Sequence, residues 1–294
     1  MSMSGKICLI TGTSSGIGKA TAIGLARMDA TVIAVMRDSS KSKNALAEIR
    51  AKSGKSESSI IHLPADLSSQ ESVRELAREF QKRYQRLDVL LNNAGVVEFR
   101  RSLSAEGLEM TFAVNVLAPF LLTNLLLDRL KSSAPSRIVN VSSDASNGAN
   151  IDFDNLQGEK KYSMMRIYGQ SKLALNLITV EFARRLAESG VTANYLHPGV
   201  IRTDLGSQGL SPVLNALSKI IKIFMASPEK GARTSIYLAS SPDIQTITGK
   251  YFGDSREKRP NPISNDKEEA KRLWSICETL TGISTSPPEI ATTS

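Results

Sequence analysis

The sequence predicts an α/β fold: a doubly wound parallel sheet of seven strands with helices on both faces. Three observations carry this. Short β-branched runs alternate with longer helical ones along the 294 residues, and parallel neighbours need such crossover connections. The β-branched runs are almost wholly apolar, as strands are when both faces are covered. A glycine-rich turn joins the first strand to the first helix. Composition agrees: 41% hydrophobic and 22% charged residues are ordinary for a soluble globular chain and exclude a disordered, collagen-like or coiled-coil one.

In order, 6–11 reads as a strand and 16–28 as a helix. The strand 31–36 precedes the helix 42–52, and the strand 60–64 precedes the helix 69–84. The strand 89–92 leads into one long helix over 108–130. The strand 137–142, the helix 168–188, the strand 191–196, the helix 228–239 and a last strand over 247–252 follow. Two polar or mixed connections, 143–167 and 203–227, break the rhythm after the carboxyl ends of strands, where open α/β sheets bind ligands. One domain is therefore expected over 1–253, including a substrate loop at 203–227. A polar extension, 254–294, is expected to hold a short helix over 266–280 and a disordered Ser/Thr/Pro end.

Cys8 and Cys277 lie at opposite ends with no CxxC, and His62 and His197 have no metal-ligand spacing, so neither a disulfide framework nor a metal site is expected. The apolar run 7–10 is too short for a secretory signal, and the stretch 113–127 is too polar and short for a bilayer span. A reducing, cytoplasmic setting is the simplest expectation. Lys plus Arg is 37 against 29 for Asp plus Glu, a net charge of +8 that suits an anionic ligand, a nucleic acid or an acidic membrane surface without choosing among them.

The first strand runs into Thr11-Gly12-Thr13-Ser14-Ser15-Gly16-Ile17-Gly18-Lys19. A Walker A loop fails at Thr13 and Ala20, and the glycines at 12, 16 and 18 do not have the G-x-G-x-x-G spacing. Glycines between strand and helix still let the backbone approach a ligand while the helix start binds an anion. The second strand ends at Met36-Arg37-Asp38, where a dinucleotide fold meets the adenosine ribose. Arg37, followed by Lys41 and Lys43, favours NADP over NAD; Asp38 is the counter-evidence.

Tyr168 and Lys172 stand four residues apart where a helical pattern begins, so phenol and ammonium share a face. Such a pair is either an exposed i,i+4 contact or a tuned acid. Lowering a phenol pKa from about 10 by about three units takes roughly 4 kcal/mol, more than a lysine provides in water. A lysine and a nicotinamide cation in a dry site could supply it.

In order and spacing, Thr11 to Gly18, Asp66-Leu67, Asn92-Asn93-Ala94-Gly95, Asn115 within Asn-Val-Leu-Ala-Pro-Phe, Val141-Ser142-Ser143, Tyr168 to Lys172 and Pro198-Gly199-Val200-Ile201-Arg202-Thr203 resemble the short-chain dehydrogenase/reductase family over about 5–253. The resemblance implies a Rossmann fold. Ile151 to Leu156, Glu159 to Ser163, His197 before Pro198-Gly199 and the long gap between Ser143 and Tyr168 look most like its retinol dehydrogenase branch. Membrane-bound members of that branch carry an apolar N-terminal anchor, whereas this chain starts almost at its first strand, so a soluble enzyme with another lipophilic or polycyclic carbonyl substrate is an equal expectation.

By position, the resemblance makes Tyr168 the proton donor or acceptor, Lys172 the group that lowers its pKa and holds the nicotinamide ribose, Ser143 the hydrogen-bond donor to the substrate oxygen, and Asn115 the anchor of a proton-relaying water. Gly12, Ser14, Ser15, Gly16, Ile17 and Gly18 would hold the cofactor phosphates and Arg37 the 2′-phosphate. Asp66 and Leu67 would line the adenine, Asn93, Ala94 and Gly95 the ribose side, and Ile201 and Thr203 the carboxamide. Alternation along the strand separates Ser142 from Ser143. His197 and His62 read as structural, and 212–225 as a lid over the substrate, with a membrane-surface helix as its competitor.

The resulting expectation is an NADP-dependent oxidoreductase that interconverts a carbonyl and an alcohol. A ketoreductase of secondary metabolism and a non-catalytic dinucleotide sensor are the alternatives. The sensor would show a broken Ser/Tyr/Lys set, and this set is intact. Neither a nucleic-acid recognition motif nor an integral membrane segment is read. A homodimer or homotetramer through the helices holding Asn115 and Tyr168 is what many relatives form, although the branch varies.

Overall fold

Alternate residues of a strand point to opposite faces of a sheet, and in the central strands both sets are buried. A computed structural model describes residues 2–199 and 227–285. In it β1 (Ile7–Thr11), β2 (Thr31–Met36), β3 (Ile60–Pro64), β4 (Val89–Asn92), β5 (Ser136–Val141), β6 (Val191–Leu196), β7 (Tyr251–Gly253) and β8 (Arg256–Lys258) form a sheet in the order β3-β2-β1-β4-β5-β6-β7-β8. All pairs are parallel except β7 with β8. Leu9 and Leu90 face a core with Phe120 and Phe182, while Cys8, Ile10 and Leu91 face the other with Leu25 and Leu238. Coverage of both faces explains why the strands read as continuous apolar runs.

The crossovers are α1 (Gly16–Arg27), α2 (Ser40–Ser53), α3 (Gln70–Arg83), a composite run, α7 (Met164–Arg185) and α8 (Pro228–Ser240). The composite run replaces the single helix expected over 108–130: α4 (Met110–Phe112), a π-helical turn (Ala113–Leu117), α5 (Ala118–Leu125) and α6 (Leu127–Ser132). The apolar pattern stays continuous through the π turn, so periodicity does not reveal it. Strand order reverses between β1 and β4, both bonded through Cys8, Leu9 and Ile10. Ligands bind at the carboxyl side of such a switch point.

Two expectations change. The sheet has eight strands among the described residues rather than seven, because Arg256–Lys258 folds back on Tyr251–Gly253. Its three residues are exposed and charged, as suits an edge that must not pair further. The last parallel strand is correspondingly Tyr251–Gly253 and not 247–252. The short helix expected over 266–280 is α9 (Lys267–Thr281), which seats Leu273, Trp274 and Cys277 in the same core as Phe120. The Trp274 ring lies 4.9 Å from that of Phe120 and 4.7 Å from that of Phe182, edge-on to both, with Arg185 4.0 Å over its face. The Ser/Thr/Pro end from 286 onward lies outside the described residues. Among the described residues no helix is long and apolar enough to cross a membrane.

Candidate active site

The turn after β1 is packed so tightly that no side chain fits at Gly12 or Gly18. A Cβ on Gly12 (φ +72°) would come 2.8 Å from the Ala94 Cα, and one on Gly18 would come 2.4 Å from the Gly12 carbonyl oxygen and from the Asn93 amide. The Asn93 amide donates to the carbonyls of Thr11 (2.8 Å) and Gly12 (3.3 Å), and the Thr11 hydroxyl accepts from the Asn93 and Ala94 N–H groups, each at 3.0 Å. Asn93 thus clamps the turn. Thr11 and Thr13, whose hydroxyl donates to the Val35 carbonyl, complete it; neither stands out in sequence. Gly16 also has positive φ, +57°. Ser15 precedes α1 without a side-chain cap, and no acidic residue sits in the first turn. The helix start therefore presents N–H groups to an anion, and the bare backbone at Gly12 and Gly18 lets one come close. Ser14 and Ser15 are partly exposed on that turn, and Ile17 packs towards Ala232.

At the ends of β2 and β3 lies a cavity of about 350 Å³ lined by Arg37, Asp38, Pro64, Ala65, Asp66 and Ser72. The fold thus brings Arg37 and Asp66 together. Asp66 is held by the Ser68 hydroxyl at 2.7 Å and its N–H at 3.0 Å, while the Arg37 guanidinium has no partner among the described residues. Leu67 lines a small neighbouring recess with Thr11, Ala94 and Val114. These features fit a dinucleotide: an open helix start for its pyrophosphate and a polar cavity for its adenosine end.

Three further elements converge on the other side of β4. Ser143 ends the extended chain after β5, Tyr168 lies in the second turn of α7, and Lys172 is one turn further on. The helix begins at Met164, four residues before the expected start, and Ser163 precedes it without a side-chain cap. Burial pushes the Tyr168 phenol above its usual pKa, and the Ser143 hydroxyl beside it pulls the other way. Of the two influences burial is the larger. Lys172 is buried, donates to the Val141 carbonyl at 2.9 Å and stands 5.8 Å from the centroid of the Tyr168 ring. Its burial brings the ammonium down to about 8. The Ser142 hydroxyl is not on the phenol but donates to the Lys172 carbonyl at 3.3 Å.

Asn115, wholly buried, sits on the π-helical turn, a feature frequent at functional sites. Its amide N–H groups donate to the Val96 carbonyl (2.9 Å) and the Ser171 hydroxyl (3.1 Å), and its oxygen accepts from the Val96 N–H (2.8 Å). A Cβ on Gly95 would fall 3.2 Å from the Lys172 Nζ and 3.3 Å from the Asn115 Oδ1. The absence of that atom leaves a position within hydrogen-bond reach of both.

His62 hydrogen-bonds the Met36 carbonyl, 3.2 Å away, within the sheet. His197 pairs through Nδ1 with Asp144, the residue after Ser143, at 2.8 Å, and the Tyr251 hydroxyl donates to the same carboxylate at 2.8 Å. That cluster joins the ends of β5, β6 and β7, and nothing in the spacing of 144, 197 and 251 announces it. Ile201, Thr203, and all of the substrate loop except Ser227 lie outside the described residues, as does the expected lid at 212–225. No group of metal-ligating side chains occurs among the described residues.

Comparison with known proteins agrees with this architecture. A family model described as short chain dehydrogenase matches residues 6–211. Retinol dehydrogenase 13 of Homo sapiens is 44% identical over 284 residues, 95% of this chain and 85% of the relative. Retinol dehydrogenase 14 of Homo sapiens is 44% identical over 96% of this chain and 88% of the relative. Among solved structures, an uncharacterized protein from Mycobacterium paratuberculosis superposes with a TM-score of 0.78 at 30% identity, covering 97% of both chains. A short chain dehydrogenase from Burkholderia cenocepacia in complex with NADP superposes with a TM-score of 0.66 at 26% identity, covering 87% of this chain and 100% of that one. With the glycine cradle beside the Ser143, Tyr168 and Lys172 side chains, these likenesses place the chain in the short chain dehydrogenase family, in its retinol dehydrogenase branch, as an NAD(P)-dependent oxidoreductase acting on CH–OH groups.

Proposed function

We propose that the protein uses NADP to interconvert an aldehyde or ketone and its alcohol on a lipophilic or polycyclic substrate, with Ser143, Tyr168, Lys172 and Asn115 as its working residues. The observation that carries this reading is the placement of the Tyr168 phenol against Ser143 with the Lys172 ammonium buried behind it. A nicotinamide, when bound, supplies the hydride or receives it. The chain supplies the proton and the place for charge. The Ser143 hydroxyl donates to the substrate oxygen, which carries negative charge as the carbonyl is reduced. Tyr168 donates its phenolic proton to that oxygen, and takes it back in oxidation. Burial keeps the phenol protonated in the free protein, so it is ready as an acid. Lys172, still mostly cationic at neutral pH with a pKa of about 8, stabilises the phenolate left behind. The gap over Gly95, within reach of Nζ and of Oδ1, suits one water linking Lys172 to Asn115 and so a path for the returning proton.

NADP over NAD is supported by Arg37, whose guanidinium faces the adenosine-end cavity with no protein partner among the described residues; an arginine there accommodates a 2′-phosphate. A lipophilic substrate is supported by the names of the relatives and by Met165, exposed one turn before Tyr168 on the same helix. Tyr168→Phe removes only the acid. Turnover in that variant should fall to background while NADPH affinity stays within about twofold, since the phenol proton matters only in the chemical step. A panel of retinal, aliphatic aldehydes and polycyclic ketones with NADPH and NADH is the assay; wild-type turnover by Tyr168→Phe would overturn the assignment.

A further inference from the structure

The run Glu159 to Ser163 takes no part in the chemistry above, yet its tyrosine is built into the site's framework. Tyr162 lies two residues before Met164, where α7 begins, so it is outside the helix that carries Tyr168. Its hydroxyl donates to the Glu98 carbonyl at 2.8 Å and lies 3.5 Å from Oε1 of Glu109. The other oxygen of Glu109 accepts from the Phe112 N–H at 2.7 Å, capping the helical run whose next turn is the π turn bearing Asn115. Two residues before Glu98, the Val96 backbone makes its two hydrogen bonds with the Asn115 amide. The contacts close into a ring that runs from Asn115 to Val96, Glu98, Tyr162 and Glu109, then through Phe112 back to Asn115.

Three observations show that this ring is constructed. Glu109 is wholly buried and has no cation among its described partners, an expensive arrangement for a carboxylate. The Thr111 hydroxyl is buried beside it and beside Tyr162 without forming a hydrogen bond of good geometry. Gly158 adopts φ +65°, and a Cβ there would strike the Tyr162 ring at 2.7 Å, so the chain makes room for that ring. Gln157 stitches the same segment down, accepting from the Glu109 N–H at 3.0 Å through its side chain and from the Arg101 Nε at 2.8 Å through its carbonyl.

We propose that Tyr162 is a positioning residue that, by holding the Glu98 carbonyl beside Glu109, fixes the 96–98 backbone that orients Asn115 and with it the proton path to Lys172. This rests on the role proposed above for Asn115. It gives the long Ser143–Tyr168 connection a task in the reaction: it locks the partner of the catalytic lysine from outside the catalytic helix.

A double-mutant cycle tests it. Tyr162→Phe deletes one hydroxyl and keeps the ring. With NADPH and the best carbonyl of the panel, its kcat should fall about tenfold, the value of one well-placed hydrogen bond, at nearly unchanged KM and NADPH affinity. If Tyr162 acts through Asn115, adding Tyr162→Phe to Asn115→Ala should cost nothing further, and Lys161→Ala in the same run should leave kcat as it was. Amide exchange provides a readout without turnover: the Val96 N–H, donated to Asn115, should exchange about tenfold faster in Tyr162→Phe but not in Lys161→Ala. Multiplying effects in the double variant, a fall in kcat that merely follows lost thermal stability, or unchanged exchange at Val96 would overturn the proposal. A wild-type protein that turns over nothing in the panel would instead refute the function above, and exchange at Val96 would still decide the role of Tyr162.

Discussion

Gly18→Ala separates what the glycine turn does for the cofactor from what α1 does for the fold. Alanine in a helix interior is worth about 1 kcal/mol over glycine, so propensity alone predicts a more stable protein. The added Cβ would lie 2.4 Å from both the Gly12 carbonyl oxygen and the Asn93 amide, and 2.9 Å from the Gly12 carbonyl carbon. Ordinary contact begins at about 3.4 Å, so the turn must retreat by roughly 1 Å, and backbone held by Asn93 and Thr11 cannot rotate aside. Overpacking of this kind costs about 1–3 kcal/mol, which cancels or exceeds the propensity gain. The larger effect falls on the anion site, whose N–H groups move with the turn. Affinity for NADPH and for NADH should fall by the same factor, about tenfold or more (1.4 kcal/mol), because the pyrophosphate is common to both. Gly24→Ala in the same helix is the matched control. Its Cβ would meet the Ile236 Cδ1 at 2.3 Å, but that atom is the end of a flexible side chain and can turn away. Gly24→Ala should therefore hold or raise stability and leave cofactor affinity within about twofold. Titration of both cofactors by fluorescence, with urea denaturation of each variant, checks this. A Gly18→Ala protein that binds both cofactors like wild type would refute the packing argument.

Two further outcomes are expected. Arg37→Ala removes a guanidinium that lines the 350 Å³ cavity and has no partner among the described residues, so NADPH should bind about 10- to 100-fold more weakly, a charge-assisted hydrogen bond being worth about 1.5–3 kcal/mol, while NADH changes little; equal losses in a paired titration would contradict the 2′-phosphate assignment. Trp274→Ala empties the space between Phe120 and Phe182 and should cost about 3–5 kcal/mol of unfolding free energy. That loss is to be read by circular dichroism in urea, since Trp274 is the chain's one tryptophan; a loss below about 1 kcal/mol would mean that α9 is not part of the core.

What the sequence discloses and what it hides divide along physical lines. Parallel strands buried on both faces announce themselves as apolar runs, and the expected 31–36, 60–64, 89–92 and 191–196 coincide with strands of the structure. β8 carries no such signal, because Arg256–Lys258 is an exposed edge with nothing to bury. The π turn is hidden for the opposite reason: Val114, Asn115, Val116 and Leu117 are all buried, so the sequence sees one apolar helix where the backbone shifts register. The glycines at 12, 16 and 18 are legible as a close approach, yet the clamp by Asn93, just after the end of β4, depends on β1 and β4 being neighbours. Asp144 and His197 meet for a similar reason, since β5 lies beside β6.

The two tyrosines of the connection show where local pattern ends and tertiary structure begins. Tyr168 has Lys172 four residues on, and Tyr162 has Arg166 four residues on, so spacing alone treats both as phenols with a cation on one helix face. The start of the helix decides between them. α7 starts at Met164, which puts Tyr168 and Lys172 on consecutive turns and leaves Tyr162 outside the helix, while Arg166 pairs with Asp152. The two phenols then part chemically. Tyr168 has a hydroxyl donor, Ser143, that draws its pKa down against burial. Tyr162 faces a buried carboxylate, Glu109, and burial with that neighbour pushes it up to about 12. A phenol held protonated by an adjacent carboxylate is a poor proton carrier and a dependable hydrogen-bond donor; one set against a hydroxyl and near a buried ammonium can exchange its proton. The start of α7 at Met164 therefore sets one tyrosine beside Ser143 and Lys172, where the proposed chemistry needs it, and the other against Glu109, outside the helix.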